Sequence, residues 1–195
     1  MRQRSDVVDL AAARIARGHR RTDAPMHLLR RYPVEQVRMP RLARVLEMWH
    51  ALADADGVLR LGRHRRIADL VGTPLLGERS LLVTITSTEP ESWLISHHGS
   101  AFTSFNSTEY PDDMFVSRRF TELPGSVTDA SVASLREVLP EARVAVHRIT
   151  GQLLGPAFTY DRLVLPIATH RGPVNRFITV SQRLAEDWAA SRLPA

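Results

Sequence analysis

The side chains able to do chemistry in this chain are its histidines, arginines and carboxylates, for it contains no cysteine and no lysine. Zero cysteines removes disulfides, zinc ribbons, thiol nucleophiles and cysteinyl-flavin photochemistry together. The eight histidines (His19, His27, His50, His64, His97, His98, His147 and His170) are never three or four apart, so local helical spacing cannot build a metal pair. His97 and His98 are adjacent in a strand-like run and must point to opposite faces. A phosphate-binding loop of the G-x-x-x-x-G-K type is impossible without lysine, and G-x-G-x-x-G is absent. G-x-S-x-G is absent too, so His98-Gly99-Ser100 only sets a serine near a histidine in sequence. Asp112-Asp113 suits a helix cap better than a catalytic carboxylate pair, and Asn106-Ser107-Thr108 is a chance glycosylation match. No constellation recommends an enzyme.

Charge carries more information than its total of +5. All 26 basic side chains are arginine, and residues 1–66 hold 15 of them against 7 acidic groups. The densest run, Arg60, Arg63, Arg65 and Arg66, is a candidate anion-binding patch because arginine forks match phosphate oxygens. A nucleic-acid-binding or anion-binding protein using this basic third is therefore the second reading to carry, although no stacking aromatic or recognition helix accompanies the patch. The bland account is a solvated face that complements an acidic body.

The elements that must position these groups follow from periodicity. With 195 residues, 44% of them hydrophobic, the chain is long enough for one core plus an extension. Its best apolar run, Leu81-Leu82-Val83-Thr84-Ile85, is strand-length and far short of a membrane span. The basic N-terminus is interrupted by Asp6, Asp9 and Arg14, so no signal core is expected and the protein is placed in the cytosol. Val8, Ala11 and Ile15 share a stripe of an amphipathic helix over 6–17. Residues 18–39 read as a connector with a helical turn near Met26–Arg30. Leu42, Val45, Leu46, Trp49, Leu52 and Ala53 predict a stronger helix over 40–53, with proline at its first position. A short helix follows near 65–71. Strands are expected at 80–87, 92–98, 142–150, 157–168 and 174–182, with a helix over 130–139 capped by Asp129 and ended by Pro140, and a last helix over 183–191. Short links make the strand pairs antiparallel, and the helical middle must cross the sheet. Alternation sets Leu163, Leu165 and Ile167 on one face of their strand and Tyr160, Arg162 and Val164 on the other.

This order and several segments resemble the alphaproteobacterial single-domain PAS-like sensor family. The tryptophan-bearing helix Leu42–Ala53, the basic segment and short helix Arg60–Leu70, and the glycine that follows a strand pair in His98-Gly99-Ser100-Ala101 are similar to family features. The most specific match is Tyr160-Asp161-Arg162-Leu163-Val164-Leu165-Pro166-Ile167, and Val174–Ser181 resembles the closing strand. Leu61-Gly62-Arg63 departs from the family's proline before an arginine, and 99–120 matches only loosely.

The resemblance implies an α+β fold: a PAS-like, five-stranded antiparallel sheet with helices on one face. It divides the chain into a helical extension over 1–39, the domain over 40–182, and a C-terminal helix and tail over 183–195. It implies a non-catalytic sensory or regulatory module that signals by protein contact and holds a small ligand or none. Trp93, His98, His147 and Tyr160 are the aromatic and polar groups expected nearest a pocket. The cofactor is unknown: covalent flavin is excluded by the lack of cysteine, and the helix over 130–139 has no histidine for haem. A homodimer is expected through Val8, Ala11 and Ile15, with a signalling protein as partner and no membrane association.

Overall fold

The computed structural model describes residues 28–62, 67–70, 73–77, 79–99, 119, 125–152 and 157–184. Seven strands and two helices organise them: β1 (Leu28–Tyr32), α1 (Pro40–Leu52), β2 (Leu59–Leu61), β3 (Ser80–Thr84), β4 (Leu94–His98), α2 (Gly125–Val138), β5 (Ala145–Gln152), β6 (Ala157–Thr169) and β7 (Val174–Arg183). The fold class is α+β. All strands join one sheet in the order β1-β5-β6-β7-β3-β4, with β2 paired to β6.

The five expected strands are β3 to β7, and their pairings are antiparallel. β5, β6 and β7 form a meander whose last strand meets β3, so the first and last of the five lie side by side at the centre. Two strands were not foreseen. Leu28–Tyr32, where the helical turn was expected, pairs with β5, its Tyr32 opposite Val146. Leu-Leu-Arg-Arg has no strong strand preference, and the free edge of β5 decides its conformation. The sheet therefore begins before residue 40. β2 is the one parallel member, its Leu59 opposite Ile167 at the end of β6.

α1 buries Leu42, Val45 and Trp49 completely against Leu82, Val146, Leu163, Leu165, Ile167, Ile178 and Val180. The Trp49 indole donates to the Gly57 carbonyl at 2.9 Å, which fixes the turn into β2, and Gly57 holds the φ of +77° that a side chain would resist. The other face carries Leu81, Val83, Ala145, Val164 and Phe177, packed with Trp93, Ile95 and, from α2, Leu135 and Val138. The helices thus divide between two faces rather than sharing one. The run Leu163–Ala168 is buried at every residue, and a strand apolar in succession needs cover on both sides. α2 begins a turn earlier than expected, so Asp129 lies inside it rather than at its cap. The expected helices over 6–17 and beyond residue 184 lie outside the described residues, while β7 runs on to Arg183.

Candidate functional site

Strand register builds a polar row across the face that α2 covers. Arg31 of β1 lies opposite His147 of β5, His147 opposite Arg162 of β6, and Arg162 opposite Ser181 of β7. Directly opposed residues share a face and stand about 5 Å apart. Above this row α2 presents Ser131, Ser134 and Glu137, three residues apart and so on one side of the helix.

Arg162 is the centre of the arrangement. The residue is 2% exposed, yet no carboxylate of the described residues forms an ion pair with its guanidinium. Hydroxyls surround it instead. Nη1 donates to Ser131 Oγ at 2.7 Å and to Ser134 Oγ at 3.5 Å, Nη2 to Tyr160 Oη at 3.0 Å, and Nε to Ser181 Oγ at 3.4 Å. The cation also sits 5.2 Å from the centre of the Tyr160 ring. A buried charge needs such contacts, but neutral oxygens compensate it less than an anion would.

Beside it, His147 is fully buried with Nε2 3.1 Å from Glu137 Oε2, and Glu137 also meets Arg31 at 3.4 Å. Burial pushes the imidazole below its ordinary range, outweighing Glu137, while Arg162 and Arg31 push the same way. The neutral ring therefore carries its proton on Nε2, since the carboxylate only accepts. Among the described residues, Nδ1 is left as a buried acceptor without a partner, and the Thr179 hydroxyl, on the same side of the sheet in β7, is likewise buried and unpartnered. Arg31 continues to Glu141 at 2.8 Å, a pair that raises the arginine and lowers the carboxyl. A polar chain thus fastens α2 to the sheet from its middle to its edge.

The depressed His147 gives a pH dependence with a definite sign. The unfolded chain takes up the proton first as pH falls past 6.5, so His147's contribution is complete above that value and lost on acidification below it. Denaturation from pH 8 to 5 should show stability falling below 6.5, with a shallower fall in His147→Phe. His97, lowered by burial in the same direction, keeps a residual slope in both proteins. Equal slopes would show that His147 is not buried neutral.

Of the four expected ligand-binding residues, the structure brings two together: His147 and Tyr160 flank Arg162. Trp93 is a core residue whose indole donates to the Ser87 carbonyl at 2.9 Å. His98, opposite Leu81, faces the α2 side but lies on β4, three strands from β6 and so about 14 Å away across the sheet. Arg162, Ser131 and Ser134 were missed as site residues. Their signal was present in an arginine on a strand buried on both faces and in two serines at helical spacing.

Among the candidate anion-binding residues, Arg60 is paired with Asp56 and, at 3.0 Å, with Asp54. Arg63, Arg65 and Arg66 lie outside the described residues, as do Val8, Ala11 and Ile15. A separate cluster lies on the α1 side, where buried Asp161 accepts from Arg148 Nε at 2.9 Å, Arg148 Nη2 at 3.1 Å and Tyr32 Oη at 2.8 Å. Burial and the bond to Asp161 push the Tyr32 phenol well up. Every described partner there is matched, and the cluster ties β1 to β5 and β6.

No known family matches the sequence, and no curated protein does so. The structure is similar to the light state of the blue-light photoreceptor Aureochrome1 LOV, at 16% identity and a TM-score of 0.42, over 58% of this chain and 92% of that one. It is similar to a fungal LOV domain photoreceptor at 15% identity and a TM-score of 0.41, over 73% and 91%. It is also similar to an RNA-binding light-oxygen-voltage receptor at 12% identity and a TM-score of 0.43, over 87% of this chain but 42% of that one.

Proposed function

We propose that the chain is a PAS-type sensory or regulatory module of the cytosol, without catalytic activity of its own, that answers a small ligand or a partner by changing how α2 sits on the sheet. The observation that carries this reading is the polar fastening of α2. A helix held only by apolar packing would gain nothing from moving. Here Ser131 and Ser134 hold a buried cation, and Glu137 holds a buried histidine, so anything that competes for either group shifts the balance between seated and lifted helix. No helix of the described residues is long and apolar enough to cross a membrane.

Output passes by contact, and we assign it to a homodimer. The sequence predicts a helix over 6–17; one that short is marginal alone in water, so a stripe of Val8, Ala11 and Ile15 would need a surface to pack against, and a twofold contact is the commonest assembly. Light scattering of the full chain should give a dimer that Val8→Asp/Ile15→Asp converts to a monomer; a monomeric wild type rejects the assembly. Native mass spectrometry of the purified protein tests the sensory claim. A retained small molecule, or a mass shift within a metabolite panel, supports it, and a clean mass unmoved across the panel counts against ligand sensing.

A further inference from the structure

We infer that the ligand of this site is a small organic carboxylate carrying a hydroxyl or amino donor, its carboxylate on Arg162 and its donor on His147 Nδ1. The inference rests on α2 as the moving element and names what would move it.

Three observations converge on one place. Arg162 is a permanent positive charge, 2% exposed, whose hydrogen-bond partners among the described residues are all hydroxyls. A carboxylate matches the planar fork in two parallel bonds, each stronger than a bond to a neutral hydroxyl. His147, directly across the strand pair, is fully buried with Nδ1 unpartnered. Glu137 already fixes the ring proton on Nε2, so Nδ1 asks for a donor and would repel a second carboxylate oxygen. Thr179 Oγ1, buried and unpartnered on the same face, adds a second free polar atom.

Glu137 and Glu141 both meet Arg31, so among the described residues Arg162 is the cation of this row with no carboxylate in contact. Binding also has a mechanical consequence. Ser131 and Ser134 now occupy Nη1, so a carboxylate arriving there displaces the hydroxyls that seat α2. The ligand favours α2 lifted at its Ser131–Ser134 turn, with Glu137 still on His147 Nε2, because only there is the guanidinium free to take it.

The test uses the full chain at pH 7.5, with lactate, alanine and propionate against chloride at equal ionic strength, read by calorimetry and by the thermal midpoint. Lactate or alanine should raise the midpoint and bind at least about tenfold more tightly than propionate, which lacks the donor. Arg162→Met should lose the response to all three while keeping its fold, since apolar replacement of a buried charge is often neutral. His147→Phe should still bind carboxylates but no longer prefer lactate or alanine over propionate. Should Arg162→Met fail to fold, Ser131→Ala decides: freeing a donor should strengthen the lactate or alanine response. A wild type unmoved by all three acids overturns the inference, as does an undiminished response in Arg162→Met, or a Ser131→Ala response no stronger than wild type. Those results leave the sensory reading standing, because a ligand of another class or a protein partner would serve it equally.

Discussion

Leu165→Ala is expected to destabilise the protein by about 2–5 kcal/mol, the range for a fully buried large-to-small change. Leu165 sits at the middle of the longest strand, fully buried, in the cluster that joins α1 to β2, β3, β5, β6 and β7. Its loss leaves a void in that cluster, among elements pinned by their own pairings and unable to close over it. The measurement is denaturant unfolding followed by circular dichroism. An unchanged midpoint would mean that Leu165 is not part of this buried cluster.

Arg148→Ala has the next largest expected effect, a loss of about 3 kcal/mol, because it leaves a buried carboxylate facing only a phenol. Asp161 is 1% exposed, and two of its three described partners are Arg148 nitrogens. The arginine itself is half exposed, so little of the loss comes from its own packing. The bond to Asp161 raises the guanidinium above its ordinary value. Asp161→Asn in the Arg148→Ala background should recover part of the loss, since the amide needs no counter-charge. No recovery would place the defect in packing rather than in the uncompensated carboxylate.

Much of this architecture is legible in the sequence because it rests on local pattern. The stripe from Leu42 to Trp49 specifies the face of α1 that is buried, and alternation along Tyr160–Ile167 sorts Leu163, Leu165 and Ile167 from Arg162 and Val164 as observed. β1 and β2 were not legible for the opposite reason. Leu28–Tyr32 and Leu59–Leu61 are short and indifferent by composition, and become strands because β5 and the end of β6 offer edges to pair with. The second helical layer was hidden in plain view: a run such as Leu163–Ala168, buried on every residue, already demands cover on both faces. The polar row was illegible because its members lie 31, 147, 162 and 181 along the chain, and only register makes them neighbours.

The claim that most needs testing is that α2 is an element able to leave the sheet while the sheet stays folded. Native-state hydrogen exchange measures this directly by comparing amides of Leu135–Val138 with those of Leu163–Ile167 under increasing denaturant. The account predicts that the α2 amides exchange through a separate opening of lower free energy, insensitive to denaturant at first, and that Ser131→Ala/Ser134→Ala makes this opening easier while the β6 amides still report global unfolding. If the α2 and β6 amides exchange with one common free energy in both proteins, α2 is a fixed part of the core, and the sensory account is contradicted.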